Sequence, residues 1–406
     1  MFAPPRGLAA VRTASPSDIV LLSALRTPVC RAHKGGFKDA YPEELLATVL
    51  DATRRRFPAD MPVDDVAVGV VLSELGGSKA ARMALNHVGF DAERTSLYTV
   101  NRACASSLQG IAGVAAALRT GDIGVGIAAG MESMTRNYAS RAVPTDPWPA
   151  LVASSVPRAR HCLMPMGLTA ENVARRYGIE REAQDVLAAE SHRRAAEARR
   201  RGRFEAETVA VTISATGETV TADDGIREST TTEKLRSLPL AFVGPDSTGT
   251  CTAGNSSQVS DGAAAMLLTT RSTATRLGLR QHVLARFVSA TVAGCQPDEM
   301  GVGPVVAVPR LLSRHGLTIA DINKWEVNEA FAAQAVHCLR RLGLEPAWEQ
   351  GRVNGDGGAI ALGHPLGATG ARLTATLIHG LQAGDLGVVT MCVGTGMGMA
   401  ALFVRE

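Results

Sequence analysis

Apolar residues gather into short runs along this chain, and the runs alternate with segments of helical spacing. After a polar start, Ile19-Val20-Leu21-Leu22 reads as a first strand, with Thr27-Pro28 as its stop. A helix-like segment follows near Tyr41 to Arg56, then the apolar run Val66 to Leu72, the Ala/Gly-rich helix 107–118 and a strand from Val125 to Ala129. Arg181 to Arg201 reads as a helix with Glu180 and Glu182 at its start and Arg193, Arg194, Arg199, Arg200 and Arg201 at its end, the order a helix dipole favours. That basic end reads as a solvated face, with phosphate contact as the competing reading. Towards the C terminus a strand runs from Val388 to Met391 and ends at Cys392. Strands and helices in alternation imply a layered α/β class.

One stretch echoes another. Leu118-Arg-Thr-Gly-Asp-Ile-Gly-Val125 and Leu381-Gln-Ala-Gly-Asp-Leu-Gly-Val388 are identical at five of eight positions, and each closes a small-residue helix and enters an apolar strand. A duplicated architecture accounts for both, with chance as the competitor. Between the copies, Arg136 to Pro165 lacks clean periodicity and carries Pro144, Pro147, Pro149 and Pro157, as an inserted loop-rich subdomain does.

Composition narrows the classes. With 406 residues, 46% of them apolar, the chain is long enough for two to three units around a large core. A net charge of +3 and 4% aromatics give neither the charge nor the stacking residues of a nucleic-acid binder. No apolar run is long enough to span a membrane. Seven cysteines (30, 104, 162, 251, 295, 338 and 392) form no CxxC and no paired Cys/His spacing, which argues against a disulfide framework and against zinc. The first 17 residues, with Arg6 and Arg12 and no acid before Asp18, read as a disordered tail or a weak targeting segment.

Four segments carry candidate chemistry. Cys104 sits where an extended stretch gives way to a helix, so free backbone N–H groups and the dipole favour its thiolate; a buried, inert cysteine is the alternative. In Asn354 to Gly370, six glycines surround His364, as expected where backbone approaches a ligand or another loop closely, and the imidazole can act as a base toward a thiol. No phosphate-cradle pattern is present there. Cys392-Val-Gly394 ends a strand, with backbone N–H groups free to face an oxyanion. Asn328, in Val327-Asn-Glu-Ala-Phe331, reads on its own segment as the cap of an apolar helix.

Together these segments closely resemble the thiolase family, and the chain from Asp18 to Glu406 can be read along it. Met166-Gly-Leu-Thr-Ala-Glu-Asn172, Ala253 to Ala265, Asn328-Glu-Ala-Phe331, Gly363-His-Pro-Leu-Gly367 and Cys392-Val-Gly394 stand in family order and spacing. The resemblance implies a thiolase fold: two similar βαβαβαββ halves in a five-layer α/β/α/β/α arrangement with an inserted loop domain. It places the halves at 18–134 with 251–285 and at 286–406, the loop domain at 135–250, and the disordered or targeting N-terminus at 1–17.

By position, the resemblance makes Cys104 the acylated nucleophile, His364 its base and Cys392 the acid/base of the second step. Asn328 holds a water that joins His364 in one oxyanion hole, and the Cys104 and Gly394 N–H groups form the other. Arg227, Ser257, Met166 and Phe331 fall at coenzyme A contacts. The implied activity is cleavage of 3-ketoacyl-CoA by CoA to acetyl-CoA and a shortened acyl-CoA, in fatty-acid β-oxidation. CoA is a substrate, and no metal or tightly bound cofactor is implied. A homodimer or homotetramer is implied, in a peroxisome-type organelle or a mitochondrion, with the cytoplasm as the other address. Ser107 departs from a position that is often glycine. Pro165, where acetoacetyl-forming members usually have histidine, and Ser256 to Ser260 point to the degradative, peroxisomal-type branch. Formation of acetoacetyl-CoA, a non-catalytic acyl-CoA binder, and a ketosynthase acting on carrier-protein thioesters are the competing functions.

Overall fold

A computed structural model of the chain describes residues 4–141, 143–243 and 248–406. Its strands are β1 (Ile19–Arg26), β2 (Cys30–Arg31), β3 (Asp65–Gly69), β4 (Ser96–Val100), β5 (Val125–Ser133), β6 (Val211–Thr212), β7 (Thr219–Val220), β8 (Ser260–Thr270), β9 (Ala285–Gly294), β10 (Lys324–Val327), β11 (Leu386–Val393) and β12 (Met397–Arg405). Hydrogen bonding links them in the order β10-β11-β12-β9-β1-β8-β5-β3-β4, with β2 beside β8 and a separate β6-β7 pair.

Two copies of one arrangement lie within that order. In the first, β3 is parallel to β5, β5 antiparallel to β8, and β8 antiparallel to β1. In the second, β10 is parallel to β11, β11 antiparallel to β12, and β12 antiparallel to β9. β4 extends the first copy beside β3, and Val353 makes a parallel bridge to Trp325 of β10 at the matching place in the second. Helix Ser106–Thr120 feeds β5 and helix Thr369–Gly380 feeds β11, so the echoed Gly-Asp turns occupy equivalent corners.

Both faces of each sheet are covered. Val66, Val68, Ile127 and Leu267 face an outer core with helix Pro42–Arg54, whereas Ala67, Ala128, Ala264 and Met266 face inward. In β11 and β12, Val389, Met391, Ala401 and Phe403 face the same inner core, and Val388, Cys392, Ala400 and Leu402 face outward to helix Gly303–His315. The helices Ser106–Thr120 and Thr369–Gly380 pack on each other between the sheets, giving five layers, α/β/α/β/α. Strands buried on both faces read as unbroken apolar runs, and helices enclosed by sheets lose their polar side.

Two expectations change on contact with the structure. Over residues 4–17 the N-terminal tail is a docked strap: Val11 is fully buried, Gly7 donates to the His315 carbonyl at 2.7 Å, and Arg286 donates to the carbonyls of Val11 (2.8 Å) and Thr13 (2.6 Å). Leu8 and Val11 supply enough apolar surface to hold it, which its lack of acids did not reveal. The basic end of helix Arg181–Arg200 is only partly solvated, because Arg194 is buried between Glu190 and the carbonyls of Val353 and Trp348. The segment 134–165 carries three short helices, Met134–Arg141, Pro149–Val152 and Pro157–His161. Residues 1–3 of the expected tail, and residues 142 and 244–247 of the expected loop domain, lie outside the described residues.

Candidate active site

Cys104 lies in the five-residue link between β4 and helix Ser106–Thr120. The link is strained: Ala103 has φ 43°, a left-handed conformation that costs a non-glycine residue about 1–3 kcal/mol. Asn101 and Ser106 hold it. The Asn101 Oδ1 accepts the Ala103 N–H at 2.9 Å, and Ser106 Oγ accepts the Arg102 N–H (2.9 Å) while donating to the Ala103 carbonyl (2.6 Å). Cys104 therefore stands just ahead of the helix, as its segment predicts. Burial, however, outweighs the helix end and pushes its thiol up to about 11, with the charge of Glu132 adding to the rise; N–H groups of Gly394 and of Cys104 itself pull the other way. At neutral pH this sulfur is a thiol and needs a base.

His364 is neutral and holds its ring hydrogen on Nδ1. Its Nδ1 lies 2.7 Å from Thr369 Oγ1, and the Thr369 hydroxyl donates its proton to the Pro365 carbonyl at 3.0 Å. The hydroxyl can then only accept from the ring, so Nδ1 carries the hydrogen and Nε2 presents a lone pair. Burial, helped by the nearby Arg372 cation, pushes the imidazole down to about 3, so it is neutral at working pH. Its backbone N–H reaches the Gln258 carbonyl and Ser260 Oγ, at 3.2 and 3.3 Å.

The glycines around His364 serve a close approach of loops. A Cβ placed on Gly130 would stand 2.4 Å from the Gly367 carbonyl oxygen, and one on Gly69 would stand 2.6 Å from it. Ser107 Oγ accepts the Ala371 N–H at 2.9 Å, tying the nucleophile's helix to the one that follows His364. The departure from glycine at Ser107 thus has a structural use.

Asn328 is fully buried and places Nδ2 3.4 Å from His364 Nε2, while no group among the described residues hydrogen-bonds its Oδ1. It is not a helix cap: the helix begins at Ala332, four residues on, and the Asn328 N–H pairs with the Thr390 carbonyl at 2.9 Å. Cys392 lies inside β11, opposite Gly398, because the strand runs on to Val393. Its thiol is held up by burial first and then by the neighbouring Cys104 sulfur. His364 thus stands against Asn328, and the Cys104 and Cys392 sulfurs are neighbours.

Of the residues expected at CoA, Met166 brings its sulfur to 3.6 Å from where a Gly394 Cβ would be. Phe331 meets Phe242 edge-on, ring centroids 6.0 Å apart, and Ser257 donates its N–H to the Ala330 carbonyl at 3.0 Å. Arg227 stands apart, with its side chain exposed and its backbone N–H on His192 Nδ1 at 3.1 Å. Thr369 and Glu132 escaped the sequence reading. An acid alone in the apolar run Val125 to Met131 and Ser133 was the available signal for Glu132; a hydroxyl five residues after His364 was the signal for Thr369. Among the described residues no group of three or more His, Cys, Asp or Glu is placed to hold a metal ion, and no helix is long and apolar enough to cross a membrane.

Comparison with known proteins adds relatives. The family described as "Thiolase, N-terminal domain" matches residues 19–272, and "Thiolase, C-terminal domain" matches residues 281–405. The chain is 45% identical to the peroxisomal 3-ketoacyl-CoA thiolase 2 of Arabidopsis thaliana, over 96% of its own length and 84% of that protein's. It is 46% identical to the peroxisomal 3-ketoacyl-CoA thiolase of Homo sapiens, over 96% and 91%. The crystal structure of the dimeric peroxisomal thiolase of Saccharomyces cerevisiae superposes with a TM-score of 0.92 at 40% identity, covering 98% of this chain and 100% of that one.

Proposed function

The chain belongs to the thiolase family, and from that membership we propose that it is an acetyl-CoA C-acyltransferase that cleaves 3-ketoacyl-CoA with CoA in fatty-acid β-oxidation. The observation that carries this reading is the buried Cys104 thiol beside the Gly394 N–H, with His364 neutral and its Nε2 unprotonated, facing Asn328.

Cys104 gives its proton to His364 Nε2 and attacks C3 of the substrate. The C2–C3 bond breaks, its electron pair passes to the acetyl-CoA enolate, and Cys392 protonates C2. The acyl group stays on Cys104 as a thioester, its oxygen held by the N–H groups of Cys104 and Gly394. The enolate oxygen sits against His364, now protonated at Nε2, and a water on Asn328. Free CoA then enters, Cys392 recovers its proton from the CoA thiol, and the CoA sulfur takes the acyl group. Cys104 leaves as a thiolate and regains its proton from His364, so turnover is ping-pong.

Met166 and Phe331, with Ser257 beside the Ser256–Phe331 bridge, support a place for the pantetheine arm, and exposed Arg227, which stands apart from them, is assigned to the nucleotide. In the same reading residues 18–134 with 251–285 form one half, 286–406 the other, and 135–250 a loop domain. The names of the relatives support a peroxisome-type compartment, and the yeast relative supports a homodimer. The test follows the loss of absorbance of a 3-ketoacyl-CoA on adding CoA. Cys104→Ala should abolish it, with loss of acyl label from the protein; a fully active Cys104→Ala enzyme would refute the assigned nucleophile.

A further inference from the structure

Glu132 is fully buried at the end of β5, and what faces it is backbone. Its carboxylate accepts three N–H groups: Gly367 at 2.9 Å, Val71 at 3.2 Å and Leu72 at 3.2 Å. The first belongs to the loop that carries His364, the other two to the loop leaving β3. Gly367 is gripped from both sides, because its N–H goes to Glu132 while its carbonyl lies against the bare α-carbons of Gly69 and Gly130. From Gly367 the chain runs two residues to Thr369, whose hydroxyl orients the His364 ring.

We propose that Glu132 is a positioning residue that pins the His364 loop to the loop after β3 and so sets where the imidazole stands relative to Cys104. The inference rests on the catalytic reading above. A buried carboxylate is costly unless its hydrogen bonds are all made, and an apolar residue would fill this part of the strand at lower cost. The acid is used because only an anionic acceptor takes three backbone donors from two loops at once.

Two groups besides the N–H donors bear on its charge. Cys104, from the nucleophile's helix, feels the carboxylate as an obstacle to ionisation. Asp261, across the pair β5-β8, is itself satisfied by Ser133 and Thr135; burial above all, with a smaller push from the Asp261 charge and against the pull of the three N–H groups, raises Glu132 to about 7. The charge and the reach of Glu132 can therefore be separated by substitution. Glu132→Gln removes the charge and forces N–H groups of its amide toward backbone donors; Glu132→Asp keeps the charge and shortens the arm by one methylene.

The experiment measures kcat and KM for thiolysis and, by mass spectrometry of the Cys104 peptide, the pH midpoint of its alkylation by iodoacetamide. Both variants should lose kcat by about tenfold to a hundredfold, as small misplacements of a catalytic group do, with KM for CoA changed by less than about threefold. The alkylation midpoint should fall in Glu132→Gln and stay at the wild-type value in Glu132→Asp. A packing role alone would lower stability without this split. Wild-type kcat in Glu132→Asp overturns the proposal, as do equal alkylation midpoints in all three proteins. Should Glu132→Gln fail to fold, kcat of Glu132→Asp decides alone. An inactive Cys104→Ala beside a fully active Glu132→Asp rejects this inference and leaves the catalytic reading standing.

Discussion

The tautomer of His364 is set by the hydroxyl of Thr369. Thr369 Oγ1 donates to the Pro365 carbonyl and so must accept from Nδ1, which leaves Nε2 unprotonated and facing Asn328 Nδ2. Thr369→Val keeps the shape and removes the acceptor, so the ring is free to rotate or to change tautomer. kcat for thiolysis should fall by up to about a hundredfold while KM for CoA is little changed, and Thr369→Ser should restore most of the rate. Steady-state kinetics of the two variants decide it, and equal rates in Val and Ser would show that the hydroxyl has no part in orientation. Cys104, His364 and Cys392 were legible in the sequence as candidates because their segments carry unusual local patterns, whereas Asn328 read alone as a helix cap and the role of each rested on the resemblance. Thr369 and Glu132 were not legible, since their meaning lies in partners on other loops, and an isolated Thr or Glu has no pattern. The state of Cys104 was misjudged for a related reason. A helix start predicts a thiolate, but the burial that overrides it comes from the inner core, built by segments far along the chain such as Ala371 to Leu377 and Val389 to Val393.

Elements were easier to read than residues, because both sheets are covered on both faces and their strands are continuous apolar runs. Where the reading slipped, local sequence was ambiguous. Asn328 has the chemistry of a cap, yet three residues, Glu329 to Phe331, separate it from its helix, whose N-cap is Phe331. The glycines show the same split between pattern and use. Gly110 is in the helix Ser106–Thr120 with room for a methyl group, its nearest neighbour standing 3.5 Å from the Cβ position, whereas at Gly130 the Gly367 carbonyl stands at 2.4 Å. Identical substitutions should therefore act in opposite directions. Gly110→Ala should raise stability by about 0.5–1 kcal/mol through reduced backbone entropy. Gly130→Ala should lower it by about 1–3 kcal/mol through overpacking and should also depress kcat by shifting the His364 loop. Urea denaturation of the two variants tests this, and a destabilised Gly110→Ala beside a neutral Gly130→Ala would contradict the packing described.

At the scale of the whole molecule, the five layers enclose an unusual amount of sulfur. Cys30, Cys104, Cys251, Cys338 and Cys392 are all buried and Cys295 is half-buried. Burial is the leading cause that raises each of these thiols above the ordinary value of 9.0, to about 11 for Cys104 and about 12 for Cys295 and Cys338. The sign of the linkage follows. Above pH 9.0 the unfolded chain releases thiol protons that the folded chain retains, so the folded state binds more protons and loses stability as pH rises. Below that value both states keep the protons and the thiols contribute no slope. Six groups act in the same direction, and Tyr98 and Tyr177, also raised, add to it. Glu132 and Glu326, raised to about 7 and about 8, already make the urea midpoint fall between pH 7.5 and 8.5, and the thiols should make the fall much steeper between pH 8.5 and about pH 10. Replacing Cys30 and Cys338 by Ala, singly and together, should flatten the fall stepwise even as it lowers the midpoint at neutral pH, because each removes one group that must stay protonated. Midpoints that are equal at pH 8.5 and about pH 10, or a slope that ignores the two substitutions, would mean that the thiols are far more accessible than five layers of packing allow.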